Sequence, residues 1–152
     1  MSDRTRVEVR RQFAAAPEKV FAAFAEARLI GRWLSPSPQI TLTLLQFDFW
    51  VGGSYRFAYG LPSGETVTIG GVYRQIESPS KIVFSWAIEA PDEHAGIDSQ
   101  VTVSIAPLGN GCELVIRHER LTWPGAAARH AEGWRGALDQ LALLPQTQGV
   151  ST

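Results

Sequence analysis

The sequence predicts an α+β domain in which a curved antiparallel sheet of about six or seven strands wraps around one long C-terminal helix. Three observations predict this class. A strand pattern and an apolar helical stripe open the chain, short alternating segments between Gly and Pro turns fill its middle, and a second helical stripe covers residues 124–144. A strongly twisted sheet can bury one face against a single amphipathic helix, which accounts for this order of elements.

The first strand and two short helices are predicted between residues 5 and 34. In "TRVEVRRQF", apolar and polar residues alternate as in a half-buried strand. Pro17 suits the first turn of the helix that follows. One stripe of that helix is apolar: Val20, Phe21, Phe24 and Ala27. Gly31 is expected to interrupt the helix, and a second short helix then ends at "SPSP", residues 35–38.

Further strands are predicted between residues 40 and 121. Their segments are "ITLTLLQFDF", "SYRFAY", "TVTIGGVYRQI", "KIVFSWAIE", "SQVTVSIAP" and "CELVIRHERL". The short turns between them, such as Gly52-Gly53, indicate that sequential neighbours pair antiparallel. A bulge is expected near Leu44-Leu45, and a bulge or sharp bend at Gly70-Gly71.

The last predicted element is a helix over about residues 124–144. Its inward face repeats at spacings of four, four and three residues: His130, Trp134, Leu138 and Leu141. Gly133 and Gly136 cost helix propensity, and their presence is explained if another part of the chain approaches this helix closely.

Composition limits the class of protein. The chain has 152 residues, of which 45% are hydrophobic and 19% charged, and this suits one folded domain. That domain is expected to span residues 1–152, with a core at about 5–144 and a frayed tail at 145–152. The net charge of -1 argues against a nucleic-acid partner.

Motifs for metals, cofactors and nucleophiles are absent from the sequence. There is no C-x-x-C or H-E-x-x-H spacing and no G-x-S-x-G segment. The single cysteine, Cys112, excludes an internal disulfide. The sequence therefore predicts no metal and no cofactor, and it assigns no catalytic residue. A run of roughly 18 apolar residues, as in a membrane span, and the apolar segment of a secretion signal are also missing, so a cytoplasmic location is expected.

Five segments in this order resemble the SRPBCC, or START-like, helix-grip superfamily. Within it, the chain is similar to the AHSA-type branch, which is named for the activator of heat-shock protein 90 ATPase. The segments are "PEKVFAAFAEARLIGRWL" (17–34), "FDFWVGGSYRF" (47–57), "GGVYRQIESPSKIVFSW" (70–86), "SQVTVSIAPLGNGCELVIRHERL" (99–121) and "HAEGWRGALDQLA" (130–142).

The resemblance implies a seven-stranded sheet that grips the C-terminal helix, with a cavity between them. Relatives bind or transform apolar small molecules or act as co-chaperones. The family usually carries Arg-Pro before the Gly-Gly turn, whereas this chain has Trp50-Val51. That difference adds apolar surface at the turn.

The segment "FDFWVGGSYRFAY", residues 47–59, is rich in aromatic rings. Alternation places Tyr55, Phe57 and Tyr59 on one face of a strand. Either the three rings fill the core, or a tyrosine lines a ligand cavity, where its ring and its hydroxyl suit an amphipathic ligand.

Three tryptophans on different elements are expected to meet between the sheet and the last helix. Trp33, Trp86 and Trp134 either close a void or stack around a flat ligand. The remaining candidates for the cavity wall on the inward faces are Tyr73, Phe84 and Leu138.

His118 continues the inward-facing set of its strand: Cys112, Leu114 and Ile116. A buried imidazole needs a partner, because leaving it unpaired costs on the order of 1–3 kcal/mol. His130, on the inward stripe of the last helix, is expected nearby. Either His118 is a structural residue bonded to backbone or tyrosine, or it is a polar anchor or general acid/base in the cavity. His94 lies in a polar loop and is expected to be solvated.

These observations lead to three hypotheses of function. The first is binding of a small apolar or amphipathic ligand between the sheet and the last helix, with His118 and a tyrosine setting its orientation. The second is a co-chaperone-like module whose partner is a chaperone. The third is a cyclase, dehydratase or hydrolase-like enzyme that uses the same cavity with His118 and His130.

Overall fold

An antiparallel sheet forms the frame of the protein. The computed structural model describes residues 5–148, and within them the sheet has seven strands. They are β1 (Val7–Phe13), β2 (Thr41–Phe47), β3 (Ser54–Gly60), β4 (Thr66–Glu77), β5 (Lys81–Ile88), β6 (Ser99–Leu108) and β7 (Gly111–Glu119). Their order in the sheet is β1-β7-β6-β5-β4-β3-β2, so β1 and β2 are its edges. Every neighbouring pair is antiparallel, and the turn pattern predicted this for the strands that follow one another in the sequence.

Three α-helices lie within the same residues: α1 (Pro17–Ala25), α2 (Ala27–Trp33) and α3 (Ala126–Leu141). The break between α1 and α2 lies at Glu26, so the predicted break at Gly31 is wrong. Glu26 has an extended backbone, with φ -112° and ψ 128°. Its N–H donates to the carbonyl of Ala22, and its own carbonyl accepts from Leu29 and Ile30, so one residue ends α1 and begins α2.

The sheet has two irregularities. The pairing of β2 with β3 shifts between Leu44 and Gln46, which confirms the predicted bulge. The pairing of β4 with β5 shifts between Tyr73 and Gln75, a few residues beyond the glycine pair where a bulge or bend was predicted. Gly71 instead lies where the backbone of β5 comes very close to β4, because a Cβ on Gly71 would lie 2.0 Å from the carbonyl oxygen of Ser85.

The core lies between the sheet and the helices. The inward positions predicted for Phe84, Trp86, Cys112, Leu114, Ile116 and His118 are confirmed by their burial. Ile82, Val101, Val103 and Ile105 are buried beside them. From α3, Trp134, Leu138 and Leu141 join the same core. Full burial of such a side chain stabilises the fold by about 1.5–3 kcal/mol.

The two glycines of α3 lie against the loop that follows α2. A Cβ on Gly136 would lie 1.9 Å from the carbonyl oxygen of Pro36, and a Cβ on Gly133 would lie 3.8 Å from the Cβ of Pro36. The side-chain amide of Gln140 donates to the carbonyl of Ser35 at 2.6 Å. The predicted close approach to this helix is confirmed, and the loop at Ser35 and Pro36 is fixed directly on α3.

The segment after α3 differs from the frayed tail that the sequence predicted. Pro145–Thr147 form a short 3-10 helix, and Thr147 is buried. The Thr147 hydroxyl donates to the carbonyl of Leu141 at 2.6 Å, which attaches the turn to the end of α3. Residues 149–152 of the predicted tail lie outside the described residues.

Candidate functional site, a cleft beside the last helix

An open cleft lies between α3, the loop after α2 and neighbouring ends of the strands β3, β4 and β5. Its volume is about 370 Å³. Much of its wall is apolar or aromatic, and the main contributors are Leu34, Ile40, Tyr59, Ile69, Trp86 and Trp134. A concave, apolar space of this kind is the usual form of a site for a small organic molecule.

Strand pairing brings the sheet side of the cleft together. Tyr59 on β3 is the cross-strand partner of Val67 on β4, and Ile69 on β4 is the partner of Ile88 on β5. These four residues line the cleft at one end of the three strands. The opposite wall comes from α3 and from the loop at Pro36. Because Gly136 has no side chain, this loop can lie directly against α3.

Four of the sequence candidates line the cleft. They are Tyr59, Trp86, His130 and Trp134. The rings of Trp86 and Trp134 contact each other, with their centroids 5.4 Å apart. Two of the three predicted tryptophans therefore meet at the cleft.

Trp33 and Leu138 lie elsewhere, in the packed core. The Trp33 ring stands edge-on against Phe24 at 4.8 Å, and its Nε1 donates to the carbonyl of Ala23 at 2.9 Å. Leu138 is 1% exposed. The prediction that Trp33 meets the other two tryptophans is wrong, because α2 directs this ring toward α1.

The aromatic residues Tyr55, Phe57, Tyr73 and Phe84 also lie outside the cleft. They surround a space of about 10 Å³, which is close to the lower limit for a single water molecule. The Tyr55 and Phe57 rings lie 4.8 Å apart, and those of Tyr73 and Phe84 lie 5.7 Å apart. Of the two interpretations of the opening aromatic segment, core packing holds for Tyr55 and Phe57, whereas Tyr59 lies at the cleft.

His118 stands in a chain of hydrogen bonds between buried residues. The indole Nε1 of Trp134 donates to Nδ1 of His118 at 3.1 Å. An indole can only donate, so Nδ1 is the acceptor and the ring proton lies on Nε2. Nε2 then donates to the Ser99 hydroxyl at 2.8 Å, and that hydroxyl donates to the carbonyl of Trp86 at 2.7 Å.

This chain makes His118 a structural residue. Burial, with a smaller contribution from His130, lowers the pKa of His118 to about 2. Both of its ring nitrogens are occupied, it is 0% exposed, and it does not line the cleft. Its partners are serine and tryptophan, so the predicted partners, backbone and tyrosine, are wrong. The geometry gives His118 no free lone pair for acid/base chemistry.

His130 lies beside His118, as predicted, with ring centroids 4.8 Å apart. Its Nδ1 donates to the carbonyl of Ala126 at 2.8 Å, one helical turn earlier in α3. Burial lowers the pKa of His130, the bond to Ala126 opposes this shift, and Arg129 adds to it. The ring is therefore neutral at neutral pH, and its Nε2 is a hydrogen-bond acceptor on a residue that lines the cleft.

His94 is the third histidine of this region, and it is not solvated as the sequence predicted. Its ring stacks on Trp123, with centroids 5.3 Å apart and an angle of 22° between the planes. Trp123 in turn stands edge-on to His130 at 5.6 Å. The loop that carries His94 is thereby packed against the first turn of α3, next to the cleft.

Several polar groups near the cleft lack partners among residues 5–148. The Tyr59 hydroxyl makes no hydrogen bond there, although the residue is only 8% exposed. Burial raises the pKa of Tyr59, so its hydroxyl keeps its proton. The Nε1 of Trp86 is buried and unpaired within the same residues. Unpaired buried donors such as the Nε1 of Trp86 are uncommon in folded proteins.

Sequence reasoning missed several wall residues, among them Ser35, Pro36, Asp92 and Arg129. They lie in loops or at the first turns of α3, where periodic patterns carry no information about orientation. One signal was present in the sequence: Gly133 and Gly136 predicted a close neighbour for α3, and that neighbour is the loop at Pro36.

Residues 5–148 contain no group of three or more His, Cys, Asp or Glu side chains that could hold a metal ion. None of the helices in this range is both long and apolar enough to cross a membrane.

Comparison with known structures supports the architecture. Protein CV1439 of Chromobacterium violaceum matches with a TM-score of 0.84 and 26% identity, over 93% of this chain and 98% of that one. The Mll3558 protein of Rhizobium loti matches with a TM-score of 0.74 and 28% identity, over 91% and 94% of the two chains. The AHSA1 protein of Silicibacter pomeroyi shares the fold, with a TM-score of 0.80 and 24% identity over 90% and 94%.

A search of curated proteins found no match. The model of the family described as "Activator of Hsp90 ATPase homolog 1-like protein" matches residues 14–144. This match covers most of the chain, and it agrees with the seven-stranded sheet and the long last helix described above. The chain therefore belongs to the family of activator of Hsp90 ATPase homolog 1-like proteins, within the SRPBCC helix-grip fold.

Proposed function

We propose that the protein binds a small apolar or amphipathic molecule in the cleft beside α3. The observation that carries this proposal is the cleft itself, about 370 Å³ in volume with mainly apolar and aromatic walls. Sites for small organic ligands have volumes of roughly 300–1,000 Å³ and combine apolar walls with a few polar groups. The cleft matches both properties.

Burial supplies the affinity in this proposal. Transfer of apolar ligand surface out of water is worth about 25 cal/mol per Å², and Trp86 and Trp134 offer flat faces for it. Polar groups at the wall set the orientation. The sequence predicted this role for His118, but both of its ring nitrogens already form hydrogen bonds with neighbouring residues. We assign the role to His130 and Tyr59, which line the cleft.

A neutral dye tests the proposal. N-phenyl-1-naphthylamine fluoresces more strongly in apolar surroundings, and we expect saturable binding at one site. The variant Gly133→Leu places a side chain in the cleft, so it should weaken binding at least tenfold. Because leucine is a better helix former than glycine by roughly 0.8 kcal/mol, the variant should remain folded.

The matched control is Ala128→Leu, which adds bulk on the exposed side of the same helix. This variant should bind the dye as the wild type does. Equal binding by Gly133→Leu and the wild type would place the dye outside the cleft and contradict the proposal.

The second candidate function is a co-chaperone-like interaction, which the family description suggests. The observation that favours it is the turn between β2 and β3, where Trp50 is 61% exposed and Val51 is 62% exposed. Exposed apolar groups at such a turn are typical of contact surfaces. The test measures the ATPase rate of an Hsp90-type chaperone with the wild type and with Trp50→Ser. Stimulation that the variant loses, with dye binding unchanged, would support this role, and no stimulation by the wild type would reject it.

A further inference from the structure

We infer that the cleft recognises a neutral ligand through a hydroxyl group, which donates a hydrogen bond to Nε2 of His130. This inference rests on the proposed function and adds the chemistry of the ligand's polar end. It follows from the hydrogen bonds of His130, from its protonation state and from the charges around the cleft.

The hydrogen bonds of His130 fix which nitrogen can meet a ligand. Nδ1 lies 2.8 Å from the carbonyl oxygen of Ala126. A carbonyl oxygen can only accept, so Nδ1 carries the ring proton and Nε2 is an acceptor. Within residues 5–148, His130 makes no second hydrogen bond, and the residue lines the cleft. His130, a residue of the cleft wall, therefore offers an acceptor that has no partner among the described residues.

The protonation state of His130 keeps that acceptor in place. Burial is the largest influence on its pKa and lowers it, and nearby Arg129 acts in the same direction. The neighbouring ring of His118 is also neutral. At neutral pH, Nε2 thus accepts a hydrogen bond from a ligand hydroxyl and cannot donate one to a carboxylate.

The charges of the cleft favour a neutral molecule. Among the described residues that line it, Asp92 and Arg129 carry opposite charges, so an ionic ligand meets attraction and repulsion together. Arg129 is exposed, and water and salt weaken its field. A carboxylate ligand would gain little from Arg129 and would find an acceptor, not a donor, at His130.

An apolar ligand without a hydroxyl pays a cost at this position. It would remove water from Nε2 and give no hydrogen bond in return, and an unpaired polar group lowers affinity. A hydroxyl restores the bond. Elsewhere in an apolar site a hydroxyl weakens binding, because it is hydrated before the ligand enters. A preference for the hydroxyl compound therefore reports a specific polar partner in the cleft.

Three compounds with the same ring system test the inference at neutral pH: naphthalene, 2-naphthol and 2-naphthoate. Their dissociation constants are measured by equilibrium dialysis with the wild type. We expect 2-naphthol to bind about fivefold more tightly than naphthalene, as one net hydrogen bond allows, and 2-naphthoate to bind most weakly.

Variants then identify the acceptor. In His130→Leu, naphthalene should still bind. The dissociation constant for naphthalene divided by that for 2-naphthol should fall from about five to one or below. Arg129→Gln, one residue earlier at the same cleft, should leave the ratio unchanged. Tyr59→Phe distinguishes the two polar wall residues: a ratio that is lost in Tyr59→Phe but kept in His130→Leu would overturn the assignment to His130.

A second readout does not depend on the folding of any variant. In ¹⁵N spectra of the wild type, the Nε2 signal of His130 should shift on addition of 2-naphthol and not on addition of naphthalene. If naphthalene binds as tightly as 2-naphthol, or 2-naphthoate binds most tightly, the cleft binds ligands but the hydroxyl inference fails. If none of the three compounds binds, the proposed function fails and the inference fails with it.

Discussion

His118 is held in one protonation state by its neighbours on both sides. The Trp134 indole donates a hydrogen bond to Nδ1, and the Ser99 hydroxyl accepts one from Nε2. Burial and the nearby His130 lower the pKa of this residue, and adding a proton to Nδ1 would also place its N–H against the indole N–H of Trp134. The histidine is thus compatible with a buried position only while it stays neutral.

This arrangement makes stability depend on pH. The unfolded chain takes up a proton on this histidine near pH 6.5, whereas the folded chain does so only near pH 2. Between these values the unfolded state holds one more proton, so the free energy of unfolding rises with pH by up to about 1.4 kcal/mol per unit. The stabilisation is complete above pH 6.5 and is lost as the pH falls toward 2.

His118→Gln tests this dependence, because a side-chain amide can accept from Trp134 and donate to Ser99 without titrating. Urea unfolding at pH 7, 6 and 5 should give a smaller loss of stability per pH unit for the variant than for the wild type. Identical slopes would show that His118 does not contribute.

Two tyrosine hydroxyls of β3 should differ in their contribution to stability. The Tyr55 hydroxyl donates to the carbonyl of Ser85 at 2.5 Å, across β4 at Gly71, whereas the Tyr59 hydroxyl has no partner among the described residues. Tyr55→Phe should therefore lower the free energy of unfolding by about 1–2 kcal/mol, and Tyr59→Phe should change it little. Urea titration of both variants measures this difference, and equal effects would contradict it.

At the scale of elements, the position of α3 depends on close contact with the loop after α2. The carbonyl of Pro36 occupies the space where a side chain of residue 136 would begin. The bond from Gln140 to Ser35 fixes the same loop one turn further along the helix. The width of the cleft follows from this contact, because the loop and α3 form adjoining parts of its wall.

Gly136→Ala and Gly133→Ala test that contact as a pair. Alanine favours a helix over glycine by about 0.5–1 kcal/mol at either position. At 136 the new Cβ would lie 1.9 Å from the Pro36 oxygen, so the loop must move and we expect a net loss of about 1–3 kcal/mol. At 133 the Cβ would lie 3.8 Å from Pro36, so we expect a small gain. Thermal or urea unfolding would contradict this account if both variants were stabilised equally.

The elements themselves could be largely predicted from the sequence. Alternation identified the strands and their inward residues, and the spacing of His130, Trp134 and Leu138 identified the face of α3. The break at Glu26 was not predicted, because its cause is the backbone conformation of one ordinary residue. A glycine such as Gly31 is a more visible signal, yet a helix tolerates it at a cost of roughly 1 kcal/mol.

At the scale of the whole molecule, the site was harder to predict than the fold. Alternation shows that Tyr55 and Tyr59 share a face, but one ring is packed in the core and the other lines open space. This difference depends on where α1, α2 and their loop cover the sheet. Which part of the sheet is covered depends on packing between distant segments of the chain, so it cannot be predicted from a local pattern of residues.

Ligand binding should stabilise the whole domain. At a concentration one hundred times the dissociation constant, a ligand that binds only the folded chain adds about 2.7 kcal/mol. For a domain of this size we expect the melting temperature to rise by about 5–10 °C with 2-naphthol. At the same ligand concentration Gly133→Leu should show a clearly smaller rise, because its binding is at least tenfold weaker, and a rise equal to that of the wild type would indicate binding outside the cleft.

The cleft has walls from both halves of the chain, and this has a consequence during synthesis. Ribosomes deliver the N-terminal part first, so the strands with Tyr59 and Trp86 emerge well before Ala137. Until α3 has left the exit tunnel, Tyr59 and Trp86 lack the cover that this helix gives them. A growing chain thus exposes apolar surface at this place for a time, and no ligand can occupy the complete cleft before α3 has emerged.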